Sequence, residues 1–115
     1  MTRGFINTKN FDKRWNELGL ADNDLRIFQD YLLQNPEAGD IISGTGGAAK
    51  IRYALHGKGK SGGIRVICVD LESYGKMYLI TCYPKSKQDT LSDKDKAAIK
   101  EVVKRIIQRE REGLK

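Results

Sequence analysis

Apolar side chains recur along this chain first at every third or fourth position, then at every second, then at every third or fourth again, and that order limits its folds. Arg3 to Asn7 reads as a short first strand, with Thr8 as the N-cap of a helix carrying Phe11, Trp15 and Leu18 on one face until Gly19. A second helix is predicted from about Asp22 to Asn35, with Leu25, Phe28 and Leu32 along its buried stripe and Pro36 as its stop. The period then changes to two. Lys50 to Leu55 alternates, placing Lys50 and Arg52 on one face of a strand and Ile51, Tyr53 and Leu55 on the other. Ile64 to Leu71 reads as the next strand after a hairpin loop, Ser73-Tyr74-Gly75 as a turn, and Met77 to Tyr83 as a nearly continuous apolar strand ended by Pro84. Ser92 and Asp95 have capping-box spacing and open a last helix to about Glu112, striped by Ala98, Ile99, Val102, Val103, Ile106 and Ile107. The expected fold is α+β: an antiparallel sheet with two N-terminal helices and one C-terminal helix, the helices covering one sheet face. At 115 residues the chain is expected to be a single domain, 1–115, with no room for a large cofactor pocket.

Charge is distributed as unevenly as the apolar residues. The chain carries 21 basic and 15 acidic residues, yet no Asp or Glu occurs from Ile41 to Val69, where Lys50, Arg52, Lys58, Lys60 and Arg65 contribute +5 of the net +6. The same stretch holds seven of the twelve glycines. Crowded cations on a backbone that permits close approach suit a polyanion such as RNA or DNA. Lys104, Arg105, Arg109 and Arg111 alternate with Glu101, Glu110 and Glu112, which reads as a solvated helix face. No apolar run approaches the ~20 residues of a membrane helix. The first ten residues lack the apolar centre of a secretory leader, so a cytoplasmic location is expected. Cys68 and Cys82 lie in apolar runs and read as buried, inert thiols, and one histidine, His56, leaves no metal-ligand cluster. No cofactor or metal is expected.

The order Gly44-Thr45-Gly46-Gly47, Lys50-Ile51-Arg52, Gly57-Lys58-Gly59-Lys60-Ser61-Gly62-Gly63 and Arg65-Val66-Ile67 resembles the HigB/RelE-type branch of the RelE/ParE toxin superfamily. Asn35-Pro36, Gly39-Asp40-Ile41-Ile42, Tyr78-Leu79-Ile80, Tyr83-x-Lys85 and Asp89-x-Leu91-Ser92 fall in the same order, so the resemblance extends from about Phe11 onward. It departs at Cys68, where relatives usually carry tyrosine, at Ser86-Lys87, where they often read Asn-Glu, and in having no tyrosine beyond Tyr83. The resemblance implies a RelE-like small domain, a type II toxin that cleaves mRNA on the ribosome, and a cognate antitoxin as partner. It also implies site residues: Lys50, Arg52, Arg65 and Lys85 for catalysis.

RNA cleaves when its own 2′-hydroxyl attacks the adjacent phosphorus, so an enzyme needs to align the chain, move two protons and stabilise the charged phosphorane. Arg52 and Arg65 suit the phosphate oxygens because a guanidinium binds them as a planar fork. A lysine crowded by other cations loses its proton more readily, which makes Lys50, Lys58, Lys60 and Lys85 candidates for proton transfer. Lys58, Lys60 and Lys87 are expected to bind RNA. Tyr83 is placed to stack on a base, to donate a hydrogen bond or to pack in the core, and His56 reads as structural. Two other functions stay open: a non-catalytic RNA- or ribosome-binding module, and a gyrase-directed, ParE-like toxin on the same scaffold.

Overall fold

In a computed structural model of the chain, residues 3–55, 63–86 and 90–113 are described. His56, Lys58, Lys60 and Lys87 lie outside them. The elements run β1 (Gly4–Asn7), α1 (Lys9–Glu17), α2 (Asp22–Gln34), β2 (Gly39–Ile41), β3 (Ala48–Ala54), β4 (Gly63–Leu71), a 3-10 turn (Glu72–Tyr74), β5 (Lys76–Pro84) and α3 (Asp93–Gly113). Five strands form one sheet in the order β1-β5-β4-β3-β2. The expected caps are present: Thr8 Oγ1 accepts from the Phe11 amide at 3.1 Å, and Ser92 and Asp95 exchange bonds at 3.1 and 3.2 Å.

Three features correct the expected fold. The sheet is mixed, because β2 to β5 pair antiparallel but β1 runs parallel to β5, reached through α1, α2 and three intervening strands. Helices pack on both faces. On one, Phe11, Trp15, Phe28 and Leu32 of α1 and α2 cover Ile51, Val66 and Leu79; on the other, Ile99, Val103 and Ile106 of α3 cover Ala48, Ile67, Val69 and Tyr78. The third feature is β2, a three-residue edge strand too short to show a period. Its turn into β3 is pinned by Thr45, wholly buried, whose hydroxyl donates to the Ile42 carbonyl at 2.7 Å and accepts from the Ala48 amide at 3.1 Å. Gly44 and Gly46 flank it with φ of +80° and +76°, which a β-carbon disfavours.

Helix α3 is fastened at its far end by a residue expected on its solvated side. Glu110 is buried: Lys76 Nζ donates to its Oε1 at 2.8 Å, and the Tyr78 hydroxyl donates to its Oε2. Both donors sit on β5, so a helix register that places Ile99, Val103 and Ile106 on the sheet carries Glu110 there too, at i+4 from Ile106. The Lys76 and Tyr78 bonds hold the Glu110 carboxyl below its ordinary range, while burial and then Glu110 itself push the Tyr78 phenol up to about 12. A carboxylate with a lowered folded pKa stabilises fully above its unfolded value, and that contribution disappears as pH falls through the folded one. Glu110→Gln is therefore expected to lower the melting temperature by several degrees at neutral pH. Its melting curve should also depend less on pH than the wild type's in thermal scans from about pH 3 to pH 7.

Candidate nucleic-acid interface

Helix α3 covers only part of its sheet face. Beyond Ile67, β3 and β4 carry Lys50, Arg52 and Arg65, whose alternating neighbours Ile51, Ile64 and Val66 point into the α1/α2 core. Pairing sets Lys50 opposite Ile67, Arg52 opposite Arg65, and Arg65 opposite Tyr83. Arg52, Arg65 and Tyr83 thus form one row across β3, β4 and β5, with directly opposed residues about 4.5–5.5 Å apart at Cα.

Tyr83 reaches this row through an irregularity. Cys68 pairs with Leu79 but Ile67 pairs with Thr81, so Ile80 is an extra residue on β5. Its carbonyl is taken by the Thr8 hydroxyl at 2.7 Å. Strict alternation from Met77 and Leu79 leads Tyr83 into the α1/α2 core; the extra residue turns it to the α3 face, as bulges re-aim side chains. The Tyr83 ring packs against the α3-side cluster, and its hydroxyl oxygen is buried.

The four cations proposed for catalysis do not share one cleft. Arg52, Arg65 and Lys85 line a groove of about 340 Å³ at the end of β3 and β4 where the chain passes from one to the other, and there the Lys85 amide donates to the Gly63 carbonyl at 2.9 Å. Lys50 and Arg52 line an adjoining one of about 280 Å³ with Asp40 and Lys96. Arg52 belongs to both. Lys96, on the first turn of α3, is a further cation at this surface, and its place follows from how α3 docks.

Two features of the charge depend on the fold. Arg65 is buried, at 7% exposure. Its stem lies among sheet neighbours on the half-covered face, and its Nη1 lies 3.5 Å from the Ile64 carbonyl oxygen. The run from Ile41 to Val69 lacks acids in sequence but not in space: Asp40 on β2 sits opposite Lys50 and binds Arg52 Nη1 at 2.8 Å. Cys68 and Cys82 are buried, and burial pushes both thiols up to about 12, leaving little thiolate near neutrality. Among the described residues no group of three or more His, Cys, Asp and Glu is placed to hold a metal ion, and no helix is long and apolar enough to cross a membrane.

Residues 4–115 match the family model of the RelE toxin of the RelE/RelB toxin-antitoxin system. The chain belongs to the RelE toxin family. It is thus a toxin of a toxin-antitoxin system, and three helices on a five-stranded mixed sheet make the α+β fold of a RelE-like domain. The RelE family assignment implies an antitoxin partner and spans every element of the fold from β1 to α3.

Proposed function

We propose that this RelE-family chain is a cytoplasmic, ribosome-dependent mRNA endonuclease built as one domain over 1–115. The observation that carries the reading is the direct opposition of Arg52 and Arg65 across β3 and β4. Like charges facing each other across strands cost stability; Asp40 offsets part of that cost at Arg52, and an anion held by both guanidinium groups offsets more. The scissile phosphate is that anion.

In this reading Arg52 and Arg65 hold the two non-bridging phosphate oxygens, and their charge stabilises the phosphorane as it forms. The 2′-oxygen bonds to phosphorus, the bond to the 5′-oxygen breaks, and the products are a 2′,3′-cyclic phosphate and a 5′-hydroxyl. Lys50 and Lys85, one on either side of the arginine pair, are the nearest candidates to take the 2′-hydroxyl proton and supply one to the leaving oxygen. Tyr83, next in the row, supports the adjoining nucleotide by stacking. Lys58, Lys60 and Lys87, which lie outside the described residues, are assigned in this reading to contacts with message and ribosomal RNA.

The test is cleavage of message in a reconstituted translation reaction with and without ribosomes, mapping the new 5′ ends. Cuts confined to ribosome-bound message, with 5′-hydroxyl termini, are the expected result. Intact message alongside tight ribosome binding transfers the assignment to a binding module, and intact message with inhibited gyrase transfers it to a protein-directed toxin.

Asp40 competes with RNA for Arg52 in this scheme. The ion pair is exposed, the Asp40 side chain by 77%, so it is worth at most about 1 kcal/mol. Asp40→Asn is expected to tighten ribosome binding about two- to fivefold, with a steeper loss of affinity as salt rises. A binding titration at two salt concentrations reads both effects.

A further inference from the structure

Helix α3 carries more cations than the chemistry above uses. They alternate with acids along the chain, but at about 3.6 residues per turn, and with Ile99, Val103, Ile106 and Glu110 against the sheet, they separate. Burial takes Glu110 off the surface. Lys96, Lys100, Lys104 and Arg111 fall on one flank of the helix, while Glu101, Arg105, Arg109 and Glu112 fall on its outermost line and beyond. Asp93, the first residue of the helix, is the carboxylate on the cationic flank. None of the four cations has an ion-pair partner among the described residues. This flank is the one turned toward β2 and β3: Lys96 lines the groove of Lys50 and Arg52, whereas Asp95 and Ala98 on the other flank face α1 and β5. The turn from β2 to β3, which has no acid between Gly44 and Gly47, lies under the helix, with Val103 Cγ1 3.8 Å from where a β-carbon on Gly46 would stand. The cations thus run out from the arginine row along α3, with Lys96, Lys100 and Lys104 rising about 6 Å apart and Arg111 about 22 Å from Lys96.

We infer that this flank of α3 docks on the phosphate backbone of a base-paired RNA, a helix of ribosomal RNA lying beside the message. The inference rests on the ribosome-dependent reading for the source of the RNA and on the make-up of α3 for its chemistry. The track leads away from the arginine row, so it serves a second stretch of nucleic acid rather than the nucleotides being cut. Helix α3 has no aromatic residue and offers none of the stacking platforms that hold single strands. Base-paired RNA needs none, because it is gripped through its phosphates and 2′-hydroxyls. A protein partner fits less well. Its affinity centres on buried apolar anchors, and the exposed large apolar side chains among the described residues, Ile27 and Ile41, lie on α2 and β2.

The test is the affinity of the whole protein for ribosomes carrying message, titrated at several salt concentrations. A flank variant, Lys100→Gln with Lys104→Gln and Arg111→Gln, removes three charges and leaves Lys96 and the groove in place. A control, Lys94→Gln with Arg105→Gln and Arg109→Gln, removes three charges from the rest of the helix surface. All six side chains are exposed, so both proteins should melt near wild type. The flank variant is expected to bind about tenfold more weakly, and its plot of log affinity against log salt should be shallower by about 2 to 3, the slope of three lost phosphate contacts. The control should bind within about twofold of wild type with the same slope, because its charges stand across a helix about 10 Å wide, more than a Debye length of about 8 Å. Equal losses in the two variants reduce the effect to net charge and overturn the inference. Unchanged ribosome affinity beside weakened antitoxin binding gives the flank to a protein and overturns it too. Wild-type protein that docks through the flank but leaves message intact defeats the endonuclease reading alone, a flank variant that binds and cuts as wild type defeats the docking surface alone, and wild-type protein with no affinity for ribosomes defeats both.

Discussion

Arg65→Ala is expected to lower cleavage of ribosome-bound message by about 10² to 10³, the usual effect of removing one preorganised donor from a developing oxyanion. The position carries two loads. Its guanidinium belongs to the opposed pair with Arg52, and its stem is buried beside Tyr83 on the α3 side of the sheet. Alanine removes both, and loss of the stem's apolar carbons adds about 2 kcal/mol of destabilisation. Arg65→Lys separates them, since it keeps the stem and the charge but offers a point charge in place of a planar fork. Lysine should therefore melt within a few degrees of wild type while recovering little of the lost cleavage. Single-turnover cleavage and thermal denaturation of the three proteins decide it. A lysine variant with full activity makes charge alone sufficient, and an alanine variant with full activity removes Arg65 from the site.

Much of this site was legible in the sequence because its first step is local. Alternation at Lys50-Ile51-Arg52-Tyr53 is enough to split cations from core, and the caps at Thr8 and Ser92 are satisfied by residues three positions away. What was not legible depends on partners distant in sequence. Asp40 reaches Arg52 only because β2 folds back on β3, so counting acids along the chain misjudges the field around the cations. Glu110 looks like one more charge on a mixed helix face until Lys76 and Tyr78 arrive beneath it. Tyr83 is the sharpest case. Its face is set by the extra residue at Ile80, and an apolar run of the Met77 to Tyr83 kind shows no break in pattern where that residue enters.

Gly63→Ala is expected to damage both stability and activity, although the change adds a single methyl group to a residue with ordinary strand pairing. A β-carbon at this position lies 2.1 Å from the Tyr53 carbonyl oxygen and 3.0 Å from the Ala54 Cα, both backbone atoms of β3, so a side-chain rotation cannot relieve the contact. The strands must part, at a cost of about 1–3 kcal/mol. They part next to the site: Gly63 pairs with Ala54, and the Arg52–Arg65 pair lies two residues further along. The Gly63 carbonyl also accepts the Lys85 amide at 2.9 Å, so the same displacement moves Lys85. A shift of about 1 Å in a positioning group costs on the order of 10² in rate, which sets the expected loss of cleavage. Gly4→Ala is the matched control, because its β-carbon meets only the Gly75 carbonyl oxygen at an ordinary 3.8 Å. Melting temperature and cleavage rate, measured for both variants, should fall together for Gly63→Ala and stay near wild type for Gly4→Ala. Wild-type behaviour at position 63 would mean that β3 and β4 have slack where Ala54 and Gly63 pair, and that the arginine pair does not depend on their close approach for its geometry.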